Sequence, residues 1–272
     1  LEKLHLEYFY KIANPISKEN EVLRSSLLSG LMKNFEFNTA QGVNDIKLFE
    51  IGRIFDKNGE RKSLAILMAG PVWQPWWQWD ENKINPVFDF YFAGGIIKNV
   101  LPSEEFAVAE NKTPSKYFHP GKTAAIVFKG KTVGQFGVLR PDIAADFQNE
   151  IIYAEIDIET IEKNYEDKVH NYRHVAKFPS VKRDISIVCA KEVKFDKIEK
   201  IIKQTMKNGG ILKDFSLFSV YESEKLGENK ISYSLRLFYR HDSKTLNDEE
   251  VNADVQTLLN KLNKDLDIAL RS

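Results

Sequence analysis

The sequence has little that would staple it, anchor it or charge it in one direction. Among 272 residues there is one cysteine, Cys189, so no disulfide forms within the chain. Its apolar neighbours mark it as a buried, inert thiol. No apolar run approaches the ~18 residues of a membrane span, and no basic-then-apolar leader opens the chain. These absences point to the cytoplasm and to no membrane partner. Charge cancels, 39 basic residues against 39 acidic, which excludes a strongly basic or acidic binding tail. A Gly-x-Gly-x-x-Gly phosphate loop is missing, and the lone Gly94-Gly95 pair carries little information. His119 has no Cys, Asp or second His at ligand spacing. His170 and His174 stand four apart but among Asn, Tyr and Lys, so no metal site is expected. The chain starts at Leu1 without methionine, as a piece of something longer would.

What is present is a folded composition, 43% apolar and 12% aromatic. Its length suits one large domain or two ordinary ones. Charge is spread unevenly. Residues 1–170 hold 20 basic and 24 acidic residues, and residues 171–272 hold 19 and 15. The second part is mildly basic, which permits a polyanionic partner without requiring one.

The chain is organised around Arg24–Phe55. Leu27, Leu28, Leu31, Met32 and Phe35 recur at helical spacing, Asn38 and residues 42–45 end that helix, and residues 47–55 read as a strand. Residues 62–70 form a nearly continuous apolar run, as a strand covered on both faces does. Pro71 and Pro75 exclude a regular helix around Trp73, Trp76, Trp77 and Trp79. That tryptophan loop suits an interface or a core lid equally. A strand end runs into a helix over residues 88–101, and strands are expected at 124–128, 132–138 and 151–158. Residues 164–177 are polar and aperiodic, so a linker at 166–177 separates a first module, 1–165, from a second, 178–272.

The second module alternates clearly. Strands are expected at 181–188, 212–221, 231–239 and 268–271. A helix with an N-cap at Asp196 runs to Gly209-Gly210, and another opens on Asn247-x-x-Glu250. The order β-α-β-β-α-β is the ferredoxin-like split arrangement, which by itself assigns no function. Arg183-Asp184 at a strand start reads as a local ion pair. The lysine-rich helix reads as a solvated face.

Several segments resemble the β subunit of bacterial phenylalanyl-tRNA synthetase. In the first module they are Asn14-Pro15-Ile16-Ser17, Arg24-Ser25-Ser26-Leu27-Leu28-Ser29-Gly30-Leu31, Leu48–Phe55 and His119-Pro120-Gly121-Lys122. Lys122 stands where that family usually has arginine. In the second they are Phe178–Ile185, Phe218-Ser219-Val220-Tyr221, Thr245–Val251 and Leu270-Arg271. The resemblance implies an α+β chain: a class II synthetase-like antiparallel sheet module, then a ferredoxin-like anticodon-binding domain. The first module would resemble the catalytic fold without forming adenylate. It would pack on the α subunit of an α2β2 enzyme, with Arg24, Leu27, Leu31, Trp76 and Trp77 at the interface. Arg24, Glu50 and Arg53 are then ion-pair partners. ATP and magnesium would serve the intact enzyme, with no cofactor, metal or catalytic residue in this part. The second module would bind phenylalanine tRNA. Tyr221 would stack on the first anticodon base, Ser232 would help read it, and Arg183, Arg236 and Arg240 would meet phosphates. Ser219 replaces the family's aspartate and offers no carboxylate to a guanine edge. A self-sufficient ATP-dependent ligase and a purely structural assembly module are the rival readings.

Overall fold

The computed structural model describes residues 4–17, 21–73, 85–101, 105–143, 147–165, 177–207, 209–223, 226–227 and 229–271. It divides into two compact units, Leu1–Lys168 and Val169–Ser272.

In the first unit, α1 (Leu28–Ala40), β1 (Ile46–Asp56) and β2 (Gly59–Ala69) come first, followed by α2 (Phe90–Val100) and β3 (Phe106–Glu110). Then come β4 (Phe118–Phe128), β5 (Lys131–Leu139), β6 (Ile151–Asp157) and α3 (Ile158–Asn164). The strands make one six-stranded sheet in the order β1-β2-β6-β5-β4-β3, with every neighbouring pair antiparallel. Leu28, Leu31, Met32 and Phe35 of α1 pack on one face with Ile54, Leu67 and Tyr153. Ala93 and Ile97 of α2 pack on the other with Ile66, Ile126, Phe136 and Ile152. Because helices cover both faces, β6 is buried along nearly its whole length, as unbroken apolar strands require. The chain can turn at Gly70 only as glycine: φ is +81° and a Cβ would overlap the Asn44 carbonyl.

Among the described residues the structure adds a strand, an α-helix and a short 3-10 turn at Pro141–Ile143 to the expected set. The strand β3 is mostly exposed, so its pattern carries no burial signal. The helix α3 occupies seven residues where the expected strand meets the expected linker. Gly94 and Gly95 lie inside α2, with Phe136 3.6 Å from the Cβ position of Gly94. Gly94 forms packing surface there and Gly95 faces open space within the helix, so the pair is no phosphate cradle. Most of the expected linker, 166–176, lies outside the described residues.

The second unit runs β7 (Val181–Ala190), α4 (Phe195–Lys207), β8 (Leu212–Tyr221), β9 (Lys230–Tyr239), α5 (Asp248–Leu266) and β10 (Ala269–Leu270). Its sheet order is β10-β7-β9-β8. With the element order β-α-β-β-α-β this is the ferredoxin-like arrangement. Ile198, Ile201 and Ile202 of α4 and Val251, Leu258 and Leu262 of α5 share a core with Ile185, Ile187, Tyr233, Leu235 and Leu237. Both helices therefore cover one face of the sheet and leave the other open. At Asn247 both capping-box bonds form: its Oδ1 accepts from the Glu250 amide at 2.8 Å, and its amide donates to Glu250 at 3.2 Å. Asp196 is not a cap. The helix α4 starts at Phe195 and Asp196 sits in its first turn, paired with Lys200 at 3.6 Å.

Candidate nucleic-acid interface

The period of two along a strand decides which residues reach the open face. On β9, Ile231, Tyr233, Leu235 and Leu237 enter the core, so Ser232, Ser234, Arg236 and Phe238 face the other way. Register carries that assignment to the neighbours. Tyr221 and Val188 flank Ser232, Ser219 and Ser186 flank Ser234, and Ser216 and Asp184 flank Arg236. Of the six residues expected to touch RNA, Tyr221, Ser219, Ser232 and Arg236 thus share one surface.

Arg183 does not. It pairs with Leu237, on the helix side, and its guanidinium binds Asp248 at the start of α5. Nor does it pair with Asp184, because adjacent residues of a strand point to opposite faces. Asp184 instead takes a bidentate bond from Arg236, Nε to Oδ1 at 2.8 Å and Nη2 to Oδ2 at 2.7 Å. That hydrogen-bonded guanidinium holds the Asp184 carboxyl below the usual carboxylate range. Arg240 follows β9, its amide bound to the Ile211 carbonyl at 2.8 Å. Its Nε is buried without a partner among the described residues.

Sequence reasoning passed over three further groups. The Arg271 guanidinium lies 4.7 Å from the Tyr221 ring centroid, reaching it from the far edge of the sheet. Phe218 sits at a bulge between Leu217 and Ser219, and the Arg236 guanidinium lies 5.3 Å from its ring. Lys182 lies 5.7 Å from the Phe238 ring. Beneath the first of these, Ser232 is fully covered and its Oγ has no partner among the described residues. The Leu270-Arg271 match was a signal for the first group. Strict alternation from Tyr221 would have sent Phe218 to the helix side, and only the bulge reverses that.

In the first unit, Arg24 spans from Glu50 (Nη1 to Oε1, 2.6 Å) to the Arg53 carbonyl (2.9 Å), and Arg53 pairs with Glu60. A Cβ at Gly52 would meet the Arg24 guanidinium, so glycine opens that crossing. Leu27 and Leu31, expected at a subunit interface, are fully buried in this unit's own core. That leaves them no surface to offer a partner. Trp76 and Trp77 lie outside the described residues. His119 closes a turn, its Nδ1 accepting from the Gly121 amide at 3.1 Å.

A cleft of about 600 Å³ opens beside Ser26, Arg61, Tyr117, Gln135 and Glu155. Glu155 accepts from Ser26 Oγ and the Tyr153 hydroxyl, both at 2.5 Å, and from Ser63 at 3.2 Å. Burial first, and the Glu155 charge second, push both Tyr117 and Tyr153 above the usual phenol range. Arg61 is bound to Asp56 at 3.0 Å. Among the described residues no group of three or more His, Cys, Asp or Glu side chains is placed to hold a metal ion. No helix there is long and apolar enough to cross a membrane.

A family model described as phenylalanyl tRNA synthetase beta chain CLM domain matches residues 2–158. The chain belongs to the phenylalanyl-tRNA synthetase β-chain family. A second model, ferredoxin-fold anticodon binding domain, matches residues 176–271, the unit with the open sheet. Phenylalanine–tRNA ligase β subunits from Legionella pneumophila and Aquifex aeolicus are similar to it. They are 30% identical over 270 residues and 32% over 264, covering 97% and 96% of this chain. The chain spans about a third of the length of these family members, 33% of each. A solved pyrrolysyl-tRNA synthetase from Desulfitobacterium hafniense is similar over 55% of this chain and 51% of its own, with TM-score 0.39 and 11% identity. At that level it adds nothing to the assignment.

Proposed function

We propose that this chain supplies tRNA positioning and assembly to a phenylalanine–tRNA ligase as part of its β subunit. The open sheet of residues 178–272 would take the anticodon of phenylalanine tRNA. The observation that carries this is Tyr221, 40% exposed on the sheet face opposite α4 and α5, with Arg271 over its ring. Single-stranded RNA is read in this way, by stacking unpaired bases on aromatic rings and hydrogen-bonding their edges. Ser232 lies in the same row of the sheet but is fully covered, so on this surface its hydroxyl does not reach a base. Arg236 and Arg271 add positive charge for phosphates, while Arg183, held by Asp248, is left to hold α5 in place.

Residues 1–165 would be a non-catalytic module. A triphosphate entering its cleft would meet Asp56, Glu155 and Asp157, while of the lining cations Arg61 is held by Asp56 and Lys116 stands 3.8 Å from Glu7. Adenylate chemistry needs free cations at that position. ATP and magnesium would act on the α subunit of an α2β2 enzyme in the cytoplasm. For docking on that subunit, the surface with the right chemistry is an apolar groove on the outer part of the sheet. Phe49 and Ile51 of β1 stand exposed there beside Leu64, Met68, Ile96 and Val100.

The test is binding of phenylalanine tRNA, and of the same tRNA with a changed anticodon, over a salt series. Phosphate contacts alone give sequence-independent binding that fades with salt. A preference for the native anticodon that persists in salt is expected, and Tyr221→Ala should weaken it by about 1–3 kcal/mol with an unchanged circular dichroism spectrum. Equal binding of both tRNAs, lost at moderate salt, would leave assembly as the function.

A further inference from the structure

The bulge in β8 turns a second exposed ring onto the open face. Phe218 is 53% exposed, three residues before Tyr221, and so about 10 Å along the strand at a rise of ~3.3 Å per residue. That spacing is within reach of neighbouring nucleotides of one strand. Beside it stands a polar pair with unused capacity. Asp184 gives one lone pair of each oxygen to Arg236 and its side chain is still 46% exposed, so a second lone pair on each oxygen can accept an N–H. Arg236 uses Nε and Nη2 for Asp184, which leaves Nη1 outside the pair.

We propose that the open sheet holds a second nucleotide subsite, in which an unstacked RNA base lies on the Phe218 ring, donates an N–H to Asp184 and presents a carbonyl oxygen to Arg236. This rests on the anticodon reading above. The occupant is a base because the surface offers a ring for a π-face, a carboxylate for amino and imino groups, and a guanidinium for a carbonyl or phosphate oxygen. An apolar peptide would leave that ion pair covered and imperfectly solvated. The subsite also gives the open face a carboxylate, which Ser219 does not supply. Ser219 lies in the next row of the sheet, opposite Ser234, so the carboxylate serves a different base from the one on Tyr221.

The experiment uses the whole chain and anticodon stem-loops of phenylalanine tRNA in which each loop base in turn is replaced by an abasic nucleotide. Phe218→Leu is expected to weaken binding of the intact loop about 5- to 150-fold, the range of one base–aromatic stack. Its effect should vanish on one particular abasic loop, different from the loop that cancels Tyr221→Ala. Asp184→Asn should alter the ranking of the four bases at the position that Phe218 identifies. A Phe218→Leu effect below about 2-fold, or one cancelled by the same abasic site as Tyr221→Ala, would overturn the second subsite while leaving the anticodon reading intact. An unchanged base ranking in Asp184→Asn would remove the ion pair from it. If Tyr221→Ala is also without effect, the anticodon reading itself fails.

Discussion

Asp254, on α5, has its Oδ2 buried without a partner among the described residues, and burial raises its carboxyl pKa above the ordinary value. A carboxyl that is harder to ionise in the fold than in the unfolded chain subtracts stability above its unfolded pKa. Once pH falls below that value the penalty is gone, because both states are then protonated. Asp254→Asn is therefore expected to raise the urea midpoint at pH 7 and to leave it nearly unchanged at pH 3. A lower midpoint at pH 7 would show the carboxylate to be a favourable partner for something nearby. The Tyr239 hydroxyl, raised by burial first and by Asp254 second, is the neighbour to examine. Other residues show how far a sequence can be read. Arg183 and Asp184 look like a local pair, yet they sit on opposite faces and bind Asp248 and Arg236. Each of those partners lies more than fifty positions away. Leu27 and Leu31 looked like contact residues. An apolar stripe has the same spacing whether it meets its own sheet or another subunit, and here it meets its own.

At the scale of elements, α5 depends on its first turn. Asn247 and Glu250 satisfy two backbone amides that the helix geometry leaves open. Asn247→Ala should destabilise the second unit by about 1 kcal/mol, read as a lower denaturation midpoint with an unchanged slope. No loss would mean that solvent satisfies those amides equally well. The same motif spacing at Asp196–Glu199 produced no cap, since α4 begins one residue earlier. Short-range spacing identifies candidates, and the residue at which the helix starts selects among them. Helices with a clear apolar face, α1, α4 and α5, were legible. The strand β3 was not, because an exposed edge strand takes its stability from backbone pairing with β4 and leaves little apolar signature.

Taken whole, the molecule carries two units with separate cores and two different exposed surfaces. The open sheet of the second is polar, aromatic and cationic, which suits RNA. The groove beside β1 in the first is apolar, with Phe49 73% exposed, and a monomer gains nothing from leaving it uncovered. Phe49→Glu is expected to abolish the proposed complex with an α subunit in gel filtration while the chain's own thermal transition stays in place. A complex of unchanged size would move the docking surface elsewhere on the first unit. Sequence alone was enough to determine the α+β character, the ferredoxin-like order and the family, since periodicity, turn chemistry and motif order are local properties of the chain. Only the tertiary structure decided which charged and aromatic residues share a face. That depends on strand register and on bulges such as the one at Phe218, and a shift of a single residue in either exchanges the two faces of the sheet.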